Sequence, residues 1–91
     1  MTATVRIPSP LRKHTGGAAT VEVEGADVRE VIAKLARAHP DITERLLDED
    51  GELRRFVNVF VRDEDVRYQD GLDTTVGDGD VVSIVPAVAG G

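Results

Sequence analysis

The sequence predicts an α+β domain in which one main helix covers a mixed β-sheet. Three observations carry this expectation: alternating apolar residues toward both ends, one long helical periodicity between them, and turn residues at the junctions. The first strand spans 2–7, with Ala3, Val5 and Ile7 on one face and Thr4 and Arg6 on the other, and Pro8 and Pro10 end it. Residues 8–18, which include Gly16 and Gly17, read as loop. Residues 20–24 alternate again with Val21 and Val23 facing in, so the first two strands form a hairpin with a wide turn. Asp27 and Glu30 have capping-box spacing. Val28, Val31, Ile32, Leu35 and Ala38 then follow i, i+3, i+4, i+7 up to Pro40, which predicts a helix over 28–39.

Residues 42–47 read as a short helical turn capped by Asp41, before an acidic turn at 48–51. A strand over 56–61 sets Val57, Val59 and Val61 on one face and Phe56, Asn58 and Phe60 on the other. Residues 63–65 turn the chain, 66–68 form a short edge strand, and 78–80 turn it into the last strand, 81–85. Strand, strand, helix, strand, short strand, strand is the order of a ubiquitin-like β-grasp. Its first and last strands lie parallel at the sheet centre, and the helix supplies the crossover that parallel pairing requires. A ferredoxin-like fold would need a second full helix. The expected core contains Val31, Leu35, Val57, Val59, Val82 and Ile84. Residues 1–85 then form the β-grasp domain and residues 86–91 a flexible C-terminal Gly-Gly tail.

Ninety-one residues fit one small domain with a modest core, which leaves little room for an internal active-site cavity. Seventeen acidic residues against eleven basic give a net charge of −6. That sign opposes the counterion release that drives nucleic-acid binding, so a basic protein surface is the better partner. Cysteine is absent, which removes disulfides, thiolate nucleophiles and Cys-based zinc sites and suits a reducing compartment. The N-terminus lacks the regions of a signal peptide, and no apolar run is long enough for a membrane helix. The expectation is a cytoplasmic protein without nucleic-acid or membrane partners.

Enzyme templates fail in turn: there is no Gly-x-Ser-x-Gly, no P-loop, and no Cys to pair with a His. His14 in a loop and His39 at the helix end lack metal-ligand spacing and read as surface or capping residues. Gly77-x-Gly79 precedes a strand, whereas the dinucleotide fingerprint opens a helix, so it reads as a turn. Asp48, Asp50 and Gly51 lack the rest of a calcium loop, and Asp63, Glu64 and Asp65 lack the burial that would separate their pKa values. Neither catalytic nor metal-binding residues are therefore expected. Phe56 and Phe60 on the outer strand face are either covered or form a partner patch.

Two terminal glycines coincide by chance roughly one time in two hundred at ordinary glycine usage, so Gly90-Gly91 stands out. Without a Cβ, an extended Gly-Gly end can thread a narrow enzyme channel and present its carboxyl carbon to attack. A carboxylate is a poor electrophile and must first be activated, for instance as an acyl-adenylate. Activated Gly91 can then accept sulfur as a thiocarboxylate, or acylate a lysine amine.

The fold order together with the ending Asp78-Gly-Asp-Val-Val-Ser-Ile-Val-Pro-Ala-Val-Ala-Gly-Gly resembles the ThiS/MoaD family of prokaryotic sulfur carriers. His14-Thr-Gly-Gly17, Glu44-Arg-Leu-Leu-Asp48, Arg55-Phe-Val-Asn58, Asp63-Glu-Asp-Val-Arg67 and Pro86-Ala-Val-Ala-Gly-Gly91 resemble its CysO branch, which serves cysteine biosynthesis. The resemblance implies that an E1-like adenylyltransferase of the MoeB/ThiF type adenylates Gly91 and that a sulfurtransferase step makes the thiocarboxylate. A PLP-dependent sulfhydrylase or another biosynthetic enzyme then takes the sulfur, and a zinc metalloprotease of the JAMM type releases the product. ATP, PLP and zinc belong to those partners, and this chain binds no cofactor. Pro86, Ala87, Val88, Ala89 and Gly90 would thread the partners' active sites, with Phe60 and Arg6 docking on their surfaces. A modifier conjugated to lysines and a small subunit of molybdopterin synthase are the alternatives.

Overall fold

A computed structural model describes residues 1–55 and 57–86. Phe56 and the expected threading and reacting residues Ala87, Val88, Ala89, Gly90 and Gly91 lie outside the described residues. The strands are β1 (Thr2–Arg6), β2 (Thr20–Glu24), β3 (Val57–Val61), β4 (Glu64–Asp65) and β5 (Val81–Pro86). The helices are α1 (Val28–Ala38) and the single turn α2 (Thr43–Leu46). Sheet order is β2-β1-β5-β3-β4, mixed and five-stranded. β1 and β5 run parallel, with Thr4 beside Val81, Val5 beside Val82 and Arg6 beside Ser83. The other pairings are antiparallel. This is the β-grasp arrangement expected from the order of the elements.

The helix starts where its capping residues place it. Asp27 Oδ1 accepts from the Glu30 N–H (2.8 Å), and Glu30 Oε1 accepts from the Ala26 N–H (3.1 Å), so each side chain satisfies a free donor at the helix start. Val28, Val31, Ile32 and Leu35 are buried, whereas Ala38, in the last turn, is exposed. These residues pack on Ala3, Val5, Val59, Val82 and Ile84 in one cluster, and all six expected core residues belong to it. His39 closes the helix, donating its N–H to the Leu35 carbonyl (2.9 Å). Gly25, just before the cap, is held by close packing: a Cβ there would lie 2.7 Å from Val31 Cγ2.

Four expectations need correction. The segment expected as loop after β1 contains a 3₁₀ stretch, Ser9–Thr15, which buries Leu11 and Thr15 and ends at Gly16 with φ 66°. Prolines in its first turn are compatible with a helical start, and the glycine supplies the left-handed residue that stops it. Asp41 does not cap the next turn. It lies inside a 3₁₀ turn, Pro40–Ile42, that leads directly into α2. The edge strand is Glu64–Asp65, preceded by a tight turn at Arg62 and Asp63, both with positive φ (55° and 64°). That conformation fits a two-residue hairpin turn. Val66–Tyr68, expected as strand, is a 3₁₀ turn, because Asp65 Oδ1 accepts from the Arg67 N–H (2.8 Å) and folds the chain back. β5 also runs one residue further than expected, with Pro86 opposite Val57.

Candidate functional site

The sheet face away from α1 carries the expected docking residues. Side chains alternate along β5, so Val82 and Ile84 enter the core while Val81, Ser83 and Val85 face outward. Register then aligns one row across the sheet: Thr20 beside Arg6, Arg6 beside Ser83, Ser83 beside Phe60, and Phe60 beside Asp65. Arg6 and Phe60 are thereby brought onto one surface although 54 residues separate them, with Ser83 as the bridge. Arg6 is exposed, and Phe60 is half-buried and lies outside the core cluster. Val81 and Val85 flank the row at 42% and 43% exposure, large values for valines on a sheet. The same alternation that buries Val82 and Ile84 turns these two valines outward, so their orientation was readable from parity.

At one end of this face, where β5 reaches Pro86, an open depression of about 450 Å³ lies between the ends of β1 and β5. Arg6, Arg12, Thr20, Ser83, Val85 and Pro86 are among its lining residues. Arg12 is fixed there by donating from Nε to the Ile7 carbonyl (3.0 Å). Two guanidinium groups thus stand beside the departing chain of a net acidic protein. Sequence reasoning missed Arg12 because its segment was read as loop.

Arg67 organises the same end of β5 from its other side, through β3. Its Nη1 donates to Asn58 Oδ1 (2.6 Å), and its Nη2 donates to the carbonyls of Arg54 (3.0 Å) and Val57 (2.8 Å). Asn58 and Val57 pair with Val85 and Pro86, so this guanidinium braces the strand against which the end of β5 is registered. We expect Arg67→Met to cost about 1–3 kcal/mol, since it leaves carbonyl groups without their donor. Urea unfolding would show this as a lower midpoint at unchanged slope.

The Asp48 and Gly77-x-Gly79 turns hold the structural roles read for them, whereas His14, expected as a surface or capping residue, is partly covered and its Nε2 is buried without a hydrogen-bond partner. Asp48 Oδ1 accepts from the Asp50 (2.9 Å) and Glu52 (3.1 Å) N–H groups and closes a turn. Gly79 donates its N–H to the Thr2 carbonyl (2.8 Å), and Asp78 Oδ1 accepts from the Thr2 N–H (2.9 Å), which fastens the start of β1 to the turn before β5. Among the described residues, no group of three or more His, Asp or Glu side chains could hold a metal ion. None of the described helices is long and apolar enough to cross a membrane.

A family model described as ThiS family matches residues 5–91. The chain belongs to the ThiS family. Sulfur carrier protein CysO of Mycobacterium tuberculosis is 50% identical over 93 residues, covering 100% of both chains. A chain in the crystal structure of the Amycolatopsis orientalis BexX/CysO complex superposes with a TM-score of 0.91 at 52% identity, covering 98% of this chain and 99% of that one. Small archaeal modifier protein 3 of Haloferax volcanii is 40% identical over 68 residues, 75% of this chain and 73% of its own length. The resemblance to ubiquitin-like sulfur carriers, and to CysO among them, is thus shown. Proteins of this type are small substrate-like carriers, not enzymes.

Proposed function

We propose that this ThiS family member carries sulfur as a thiocarboxylate on Gly91. The observation that carries the reading is the 50% identity to CysO over the full length of both chains, together with a family match that runs to Gly91. An E1-like adenylyltransferase joins the Gly91 carboxylate to the AMP moiety of ATP, with pyrophosphate leaving. A sulfur nucleophile delivered by a sulfurtransferase step then displaces AMP. The thiocarboxylate is a soft nucleophile on a protein handle, and the recipient biosynthetic enzyme takes the sulfur from it. In the cysteine route that recipient is PLP-dependent, and a zinc protease of the JAMM type restores Gly-Gly. Those cofactors belong to the partners, and the chain supplies the handle, the tail and the docking face.

Residues 87–91 thread the partner's active site, with Pro86 held in β5 opposite Val57 instead of threading as expected, while Phe60, Arg6, Val81 and Val85 dock on the enzyme around its entrance. The relative from Amycolatopsis orientalis, found in a complex with BexX, supports a protein enzyme as the docking partner. We expect Phe60→Ala to raise the KM for adenylation about tenfold or more, as truncation of an interface anchor does, with the melting temperature little changed. Unchanged adenylation with a lowered melting temperature would instead make Phe60 a packing residue.

The similarity to a small archaeal modifier protein favours a second reading, in which activated Gly91 acylates lysines of other proteins. Purification from the native host followed by intact mass measurement separates the two. Sulfur in place of oxygen on the free chain supports the carrier, and a ladder of isopeptide-linked adducts supports the modifier.

A further inference from the structure

We infer that the free edge of β2 is a recognition site for an extended protein segment that alternates basic and apolar residues. β2 lies at the end of the sheet with β1 as its one neighbour. The hydrogen-bond phase of this pair is fixed at both ends, by Ile7 N–H donating to the Ala19 carbonyl (2.8 Å) and Gly25 N–H donating to the Met1 carbonyl (3.0 Å). Residues 19, 21, 23 and 25 therefore face β1 with their backbone groups. Thr20, Glu22 and Glu24 alternate with them, so their N–H and C=O groups point away from the sheet.

Five residues of open strand form a template for one further strand, whereas the opposite edge, β4, has two residues. The charges on this edge select its occupant. Glu22 and Glu24 are exposed and stand on the same sheet face. A second copy pairing antiparallel about Glu22 would set Glu22 against Glu22, and cross-strand like charges are unfavourable. An incoming strand with Lys or Arg at alternate positions places its cations opposite both glutamates. Its intervening residues fall on the α1 side, where Val21 is only partly covered and offers apolar surface. A strand with the alternation basic, apolar, basic therefore matches the backbone donors and acceptors, the charge on one face and the uncovered valine on the other. Glu22 and Glu24, which select the occupant, lie outside the depression at the end of β5 that Thr20 lines, and the pairing does not depend on sulfur transfer.

The test uses the full chain and a synthetic peptide of alternating lysine and valine, followed by NMR titration. Binding is expected to shift and slow the exchange of the Thr20, Glu22 and Glu24 amides first. N-methylation of the peptide on the bonds that face β2 should weaken binding about tenfold or more, because pairing needs those N–H groups. The double variant Glu22→Lys, Glu24→Lys should lose the lysine peptide and gain a glutamate–valine counterpart. Equal binding of the methylated peptide, shifts centred on Asp48–Glu52, or self-association through this edge would each overturn the proposal. A melting curve for the double variant verifies folding, and if it fails to fold, the methylated peptide with the unaltered chain decides the matter.

Discussion

Deleting Gly91 is expected to abolish thiocarboxylate formation while leaving the melting temperature unchanged. Gly91 has no side chain to bury, and among the described residues the core cluster reaches no further along β5 than Ile84. Six residues of fully extended chain span at most about 20 Å, and losing one draws the carboxylate back by about 3.4 Å. Adenylation needs the reacting oxygen within a few tenths of an ångström of its line of attack, and a misplacement of about 1 Å already costs about a hundredfold. Gly90→Val keeps the length but puts a β-branched side chain beside the reacting group, and should slow the same step. Each variant would be incubated with the activating enzyme, ATP and a sulfide source and followed by intact mass. Normal thiocarboxylate formation on the shortened chain would refute Gly91 as the reacting residue.

Leu35→Ala should give the largest loss of stability. Leu35 is fully buried on the sheet side of α1, in the cluster that joins the helix to β1, β3 and β5. A buried Leu→Ala change costs about 2–5 kcal/mol, against a total of about 5–15 kcal/mol for an ordinary domain. For a chain of this size the melting temperature should fall by at least about 8 °C. Leu35→Met, nearly equal in volume, should cost less than about 1.5 kcal/mol. Equal midpoints for Leu35→Ala and the unaltered chain would mean that Leu35 does not hold the helix to the sheet.

The fold was legible where one local rule acted alone. Asp27 and Glu30 announced the helix start, and the period-2 valines placed β1, β3 and β5 with their correct faces inward. The failures lie where a side chain redirects the backbone. Val66 and Tyr68 have strand-forming residue types, but the carboxylate of Asp65 bends the chain before a strand can form. Pro8, Pro10 and the two glycines suggested a loop, yet Leu11 finds core to bury and holds a 3₁₀ stretch in place. At the site, Arg6 and Phe60 were found from the alternation of their strands. Their meeting across Ser83 depends on sheet register, which no local pattern specifies. Arg67 was legible only as the end of the family-like stretch Asp63-Glu-Asp-Val-Arg67; its bracing role was not, because its three acceptors come from backbone and side chain 9 to 13 residues earlier.

β5 fills the middle of the sheet, and among the described strands it is the last to leave the ribosome. Until it arrives, the β1–β2 hairpin and the β3–β4 pair have no strand to join them, and Val5 and Val59 lack their central neighbours. A nascent or prematurely terminated chain thus presents two unconnected half-sheets with apolar faces open, the kind of species that cellular proteases remove. The sheet therefore closes only once β5 has been made. Translation itself then acts as quality control: a chain stable enough to persist is one whose message has been read through the codons of β5.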